Sequence, residues 1–324
     1  MSIPEWTEKK QQAVMVASKM LAYCEDHYSA RMRVQKRMLR MLYCADTIRT
    51  ILCKECGHME YYASRCKDRL CPVCQWRLSI QRLAEMMSVH DYLMQQDGYI
   101  NVAMLTLTIK NCSGPQLPQT VRKLLDGWQL FCKRRDVQRY VRGYARSIEI
   151  TNKRGSWHPH LHVLVYFGKD YKKQLSIYDI VRMWRESLGV DYDPICDIRS
   201  AYSKRKDKQY NNRHDKITAL VAEATKYVMK SELLTQATPE DILILDEATK
   251  GVRLCSYGGI IRKARAACGI TDKDTLEDAE IRADICKDCG SSEVVEMTWQ
   301  WALDGYKLFR DASGLNDYND MDTI

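Results

Sequence analysis

The alternation of apolar and polar positions divides the chain into helical and extended stretches. From about Glu8 to Arg49 no Pro or Gly interrupts the run, and the spacing predicts helix. A second helix is predicted from Cys74 to about Met94, where Leu78, Leu83, Met86 and Met87 recur among polar residues. The period then changes. In Val102 to Ile109, Ala103, Leu105, Leu107 and Ile109 share one face of a strand, and Thr106 and Thr108 share the other. Asn111-Cys112-Ser113-Gly114-Pro115 ends that strand, and a helix is predicted over roughly Leu117 to Val141. A hairpin follows, with arms Tyr144 to Thr151 and His158 to Phe167 and a turn over Asn152 to Trp157. In its first arm Ile148 and Ile150 oppose Ser147 and Glu149. In its second, Leu161, Val163 and Val165 oppose His158, His160 and His162. Helices are predicted again at Ile177 to Leu188 and Lys216 to Leu234. Three strands with one aliphatic and one polar face imply an α+β fold: an antiparallel sheet with helices on one side and chemistry on the other.

A length of 324 residues and 45% apolar composition support a sizeable core. The expected division is a helical region with a cysteine block over 1–92, a main domain over 93–268, and a tail over 269–324. No apolar run reaches the roughly eighteen residues of a membrane span. The first residues, Met1-Ser2-Ile3-Pro4-Glu5-Trp6-Thr7-Glu8, lack the features of a signal peptide. The expectation is a cytoplasmic protein without a membrane partner. In that compartment the fourteen cysteines read as thiolate ligands and buried thiols rather than disulfides. The net charge of +8 is uneven. Arg31, Arg33, Lys36, Arg37 and Arg40 crowd one segment, and Lys204, Arg205, Lys206 and Lys208 another, while Asp311, Asp317, Asp320 and Asp322 make the end acidic. Basic clusters favour a polyanion, although either cluster alone is more often a solvated helix face.

Three groups of residues carry chemistry. His160 and His162 lie two apart in a strand, so both rings project from one face and can share a cation. Glu149 on the neighbouring arm faces the same way and can add a carboxylate; His158 is the competing third ligand. A His-x-His pair in a sheet is equally often two hydrogen-bonded core histidines. Second, Glu223, Tyr227 and Lys230 form one stripe of a helix, with Ile217, Leu220, Val221, Ala224 and Val228 on the inward stripe. A tyrosine hydroxyl attacks only when a metal activates its target or a cation such as Lys230 steadies the phenolate, and Glu223 can serve as a base. Taken alone, Tyr227 is one of nineteen tyrosines with a polar neighbour. Third, Cys53-Lys54-Glu55-Cys56 and Cys71-Pro72-Val73-Cys74 are two C-x-x-C knuckles with the spacing of structural zinc. Cys66 and His58 are further candidate ligands. Cys286-Lys287-Asp288-Cys289 is a lone knuckle, able to join them in a second site or stay unliganded.

Four blocks in order resemble the rolling-circle replication initiators of small bacterial plasmids, which belong to the HUH endonucleases. They are Met104-Leu105-Thr106-Leu107-Thr108, His158-Pro159-His160-Leu161-His162-Val163-Leu164-Val165, Glu223-Ala224-Thr225-Lys226-Tyr227-Val228-Met229-Lys230, and Ser256-Tyr257-Gly258-Gly259. The segment from Cys66 through Arg77 is also similar to that family. The resemblance implies an HUH-type central five-stranded antiparallel sheet flanked by helices, following an N-terminal zinc-binding region. It implies that His160 and His162 hold Mg²⁺ or Mn²⁺, that Tyr227 nicks one DNA strand and becomes a 5′-phosphotyrosine, and that Glu223 ends a round by hydrolysis. The third ligand stays open between Glu149 and His158. The partners implied are plasmid origin DNA, as duplex and exposed single strand, with host helicase and polymerase. Two rivals remain. The cysteine block also resembles the zinc region of HUH single-strand transposases, which commonly carry paired tyrosines. A non-catalytic, zinc-stabilised DNA-binding regulator is the other.

Overall fold

A computed structural model describes residues 2–97, 101–168, 176–200, 213–225, 231–270, 285–302 and 305–311. The chain forms two compact units, Met1–Trp76 with Asp274–Ile324, and Arg77–Lys273. The expected tail is therefore part of the first unit, and the division falls nearer residue 76 than 92.

The first unit opens with helices α1 (Ile3–Asp26) and α2 (Tyr28–Leu42), which pack on each other. The single helix expected to Arg49 is thus broken at His27. Each half buries its own stripe: Ala13, Val16, Ala17 and Met20 in α1, and Val34, Met38 and Met41 in α2. Two short amphipathic helices can cover each other, which one long helix cannot. The fully buried Lys10 holds the turn closed, donating to Leu42 O at 2.7 Å and Cys44 O at 2.9 Å and pairing with Asp46. Thr47-Ile48-Arg49 is not helix but the start of β1 (Thr47–Cys53), a run rich in β-branched residues that fits a pleated surface better. It lies in a four-stranded sheet of order β2-β1-β8-β9, with β2 (Met59–Ala63), β8 (Val294–Trp301) and β9 (Tyr306–Asp311). Cys53 is opposite Val294 and Thr47 opposite Gln300, so the last segment is paired directly to the first. Helix α3 (Pro72–Asp97) leads into the second unit.

The second unit is an α+β fold around a five-stranded antiparallel sheet of order β6-β3-β5-β4-β7. Its strands are β3 (Asn101–Thr108), β4 (Val141–Lys153), β5 (Ser156–Phe167), β6 (Cys196–Ser200) and β7 (Cys255–Gly259). The β4–β5 hairpin is tighter than expected, because Lys153 pairs with Ser156. Its two loop residues, Arg154 and Gly155, have φ of 52° and 80°, the geometry that matches the twist of paired strands. Gly258 and Gly259 allow close approach at the edge. A Cβ would lie 2.3 Å from the Tyr144 ring at the first and 2.1 Å from Arg142 O at the second.

Helices cover both faces, not one as the pattern suggested. On one, Leu105, Val165 and Tyr144 meet α4 (Leu117–Cys132) and α6 (Ile177–Leu188); the short α5 (Arg135–Tyr140) precedes β4. On the other, Met104, Ala145, Leu164 and Tyr166 pack against α3, α7 (Arg213–Thr225) and α10 (Ile260–Ala267). Helices α8 (Ser231–Gln236) and α9 (Pro239–Thr249) lie between α7 and β7 in the chain. The second face is apolar at one end, and its polar residues gather at the other.

Candidate active site and cysteine clusters

Cross-strand register builds the first site. Residues directly opposite in an antiparallel pair share a face. Glu149 is opposite His160, which is opposite Thr108; Ser147 is opposite His162, which is opposite Thr106 and, one strand on, Asp197. The Glu149 carboxylate lies 2.8 Å from His162 Nε2 and 3.4 Å from His160 Nε2, and those two nitrogens are 3.1 Å apart. Neighbouring ligand atoms around an octahedral ion at roughly 2.1 Å lie about 3.0 Å apart, so the set fits such an ion without rearrangement. Three ligands on one side leave positions open for substrate oxygen and water. The other ring nitrogens are also placed. His160 Nδ1 is 3.3 Å from His158 O, and His162 Nδ1 is 3.5 Å from Thr106 Oγ1. An N–H donated there leaves each Nε2 lone pair facing the site. When no ion is bound and Nε2 carries the proton instead, burial pushes the Glu149 carboxyl up, but hydrogen bonds from His160 and His162 outweigh it and hold the group well below the usual range.

His158 lies outside this set. Its Nδ1 donates to Asn111 Oδ1 at 2.7 Å, and its ring stacks beside His160 at 5.1 Å. Burial, then the neighbouring His160, lowers its pKa.

Helix α7 covers the same sheet face, burying Ile217, Val221 and Ala224 as its stripe requires. Its Glu223 accepts a hydrogen bond from Arg199 Nη2, and Arg199 Nε lies 3.1 Å from Asp197 Oδ2. Arg199 is opposite Met104, one alternate position along from Asp197, so this ion pair sits beside the row that contains His162. Sequence reading missed Arg199, because a lone Arg in a short strand carries no signal until its partner is known. Tyr227, Lys230 and Lys226 lie outside the described residues, as do Val228, Lys204, Arg205, Lys206 and Lys208.

Eight of the fourteen cysteines form two sets of four, and the expected grouping of Cys53 and Cys56 with Cys71 and Cys74 is not the one found. The first set is Cys44, Cys66, Cys71 and Cys74, all buried. The second is Cys53, Cys56, Cys286 and Cys289. Sγ atoms lie 3.6 Å apart for Cys44–Cys74 and Cys66–Cys74, 3.5 Å for Cys53–Cys289 and 3.6 Å for Cys56–Cys286. Tetrahedral zinc at about 2.3 Å from each sulfur would set them about 3.8 Å apart. Sheet pairing explains the grouping. Cys53 ends β1, and Lys54 N donates to Glu293 O at 2.8 Å, which brings the knuckle before β8 alongside. The two knuckles share one turn: Gly57 N bonds Cys53 O and Gly290 N bonds Cys286 O, with φ of 71° and 73°. The amide of Cys56 draws the Cys53 thiol down to about 7, and the amide of Cys289 likewise lowers Cys286. In the other set burial pushes Cys71 well up, and the thiols of Cys44, Cys66 and Cys74 push it further. Four thiolates there need a cation. His58 is turned away, 2.6 Å from Asp288 Oδ2 through Nδ1.

Two residues of the early basic cluster serve the Cys66 loop. Arg37 pairs with Asp68 at 2.7 Å, and Arg40 donates to Cys66 O at 2.6 Å.

Residues 59–307 match the family described as Replication protein, and residues 15–95 match a transposase zinc-binding domain. A "Protein rep" from Lentilactobacillus hilgardii is 30% identical over 263 residues, covering 77% of this chain and 82% of that protein. One from Bacillus amyloliquefaciens is 28% identical over 302 residues, covering 83% and 84%. A "Replication protein" from Staphylococcus aureus is 24% identical over 225 residues, covering 66% and 93%. No solved structure matches the chain. With a family match that spans most of the sequence and relatives covered over most of their length, the chain belongs to the replication protein family.

Proposed function

We propose that the protein initiates rolling-circle replication of a plasmid by nicking one strand of the origin and becoming joined to its 5′ end. The observation that carries this reading is the convergence of Glu149, His160 and His162 on one point of the sheet. Mg²⁺ or Mn²⁺ held there would polarise the scissile phosphate. The buried imidazoles bring no charge of their own when neutral, so one carboxylate leaves the site cationic and suited to a phosphodiester. Tyr227 is the nucleophile: its hydroxyl oxygen bonds phosphorus, and the 3′-hydroxyl leaves with a proton and primes synthesis. Lys230 steadies the phenolate. Glu223 later takes a proton from water that releases the 5′ phosphate. Host helicase and polymerase carry the fork, and the site of action is the cytoplasm; among the described residues no helix is long and apolar enough to cross a membrane.

Both cysteine sets support Zn²⁺ in a folding role. The zinc-binding match favours a second reading, an HUH single-strand transposase. Supercoiled plasmid with the relatives' type of origin, incubated with Mn²⁺, separates the two. A single nick at the origin with a covalently bound 5′ end supports the initiator. Cleavage of only single-stranded transposon ends supports the transposase. Binding without cleavage by the wild type would leave a non-catalytic regulator.

A further inference from the structure

The sheet face opposite the Glu149–His160–His162 cluster holds a cavity of ≈ 640 Å³ walled by α4, the α9–β7 loop and β4. Five cationic side chains line it, Arg122, Lys133, Arg146, Lys250 and Arg253, against the single carboxylate of Asp126. Arg146 is the informative member. It stands on β4 opposite Ser256 and is only 4% exposed. Its Nε donates to Ser256 Oγ at 3.0 Å and its Nη2 to Arg253 O at 3.1 Å, which fixes the plane of the guanidinium. Its Nη1 is buried with no partner, and among the described residues Arg146 forms no ion pair. Among the described residues the charge of the neighbouring Lys250 meets only Glu247, loosely, at 3.9 Å.

A buried cation without a counter-ion is costly, and buried charges are ordinarily paired. Burial disfavours the charged Arg146, and the adjacent Arg253 adds to this, while Cys255, Tyr144 and Cys132 act the other way. A ligand with two or more anionic oxygens would relieve both penalties, because a guanidinium fork matches phosphate geometry. One wall is aromatic: Trp128 and Tyr144 meet edge to face at 4.9 Å. We propose that this cavity binds a phosphate group, presented by a nucleic-acid backbone or by a free nucleotide, with Arg146 as its buried anchor and Arg122, Lys133 and Arg253 at its mouth. The proposal does not rest on the metal reading, since residues of opposite parity on β4 serve the two sites.

The test uses the full-length, zinc-loaded protein without added Mg²⁺ or Mn²⁺. Sodium pyrophosphate is titrated by calorimetry against wild type, the triple variant Arg122→Ala, Lys133→Ala, Arg253→Ala, Arg146→Met, and His162→Ala. Wild type and His162→Ala should bind alike. The triple variant removes exposed side chains but leaves the Arg253 carbonyl, so it should keep the wild-type melting midpoint and bind about tenfold or more weakly. Arg146→Met should be weaker still; if it does not fold, the triple variant decides. A single-stranded oligonucleotide that displaces pyrophosphate identifies the backbone as the source, and one that does not identifies free nucleotide. No binding by wild type, or equal affinity in the triple variant, overturns the proposal.

Discussion

Arg199 on β6 holds the carboxylate of Glu223 on α7, beside the sheet row that contains His162. A contact along its own helix, with Lys226 or Lys230, would be worth only about a few tenths of a kcal/mol. A cross-element pair with Arg199 fixes its position far better than a solvated neighbour on one helix would. If Glu223 serves water at the end of a round, Arg199 is its positioning residue. Glu223→Ala should still nick but accumulate covalent complex or multimeric single strands. Arg199→Ala should show the same accumulation in milder form, with nicking within about threefold of wild type. Normal yields of monomeric circles from Arg199→Ala, with defective yields from Glu223→Ala, would separate the two residues and sink the positioning role.

Tyr227→Phe should lower nicking by roughly 10⁴-fold or more, as loss of a hydroxyl nucleophile does elsewhere. Duplex origin binding should be retained. A labelled single-stranded origin oligonucleotide should become linked to wild type, on the peptide that contains Tyr227. Linkage surviving in Tyr227→Phe would reassign the nucleophile.

The metal site makes a graded prediction. His160→Ala, His162→Ala and Glu149→Ala should each abolish Mn²⁺-dependent nicking. Thr106→Val removes only the group 3.5 Å from His162 Nδ1 and should weaken Mn²⁺ affinity by about tenfold. His158→Ala should retain affinity, because its Nδ1 is engaged by Asn111. Titration of nicking rate against Mn²⁺ concentration reads all five variants, and a loss at His158 equal to that at His160 would restore it as a ligand.

Much of this site was legible because a strand repeats every two residues. That period alone put Glu149, His160 and His162 on one face, and the hairpin put Glu149 opposite His160. What no period carries is pairing between distant segments. Thr47-Ile48-Arg49 was absorbed into helix because nothing local marks where α2 stops, and its strand partner lies at Gln300 to Thr298. The same pairing decides the cysteines. Local spacing joined Cys53 to Cys71, whereas the sheet delivers Cys286 and Cys289, and Cys44 sits too far before Cys66 to look like part of a knuckle. The helices on the chemical face were missed for a related reason: Met104, Leu164 and Tyr166 continue the polar positions of their strands as apolar ones toward the far end.

The depressed Glu149 carboxyl gives a pH dependence of stability. A carboxyl held below its unfolded value of about 4.3 adds stability that is complete above that pH and is lost progressively as pH falls below it. The melting-midpoint difference between wild type and Glu149→Gln should therefore be level from neutral pH down to about 5 and shrink below about 4.3. Loss of zinc at low pH affects both proteins alike, so the difference isolates Glu149. A gap that widens on acidification would mean that the carboxyl is raised in the folded protein.

Two complete four-cysteine sets predict two zinc ions per chain rather than one. The ions should be separable. Cys286→Ser with Cys289→Ser should release the zinc of the Cys53 set and leave the Cys44 set loaded, because the two sets share no ligand. Cys44→Ser should do the reverse, leaving a buried trio of thiols without the cation that makes thiolates tolerable at that depth. Structural zinc contributes apparent free energies on the order of 10 kcal/mol, so either loss should lower the melting midpoint clearly. The positions of the losses should differ as well. Emptying the Cys53 set frees the knuckle that β8 carries toward β1, and amide exchange should quicken along Val294–Trp301. Emptying the Cys44 set should quicken it instead in the loop that Arg37 and Arg40 hold around Cys66. Elemental analysis of folded protein giving one zinc, or a Cys286 and Cys289 double variant that still carries two, would refute the division.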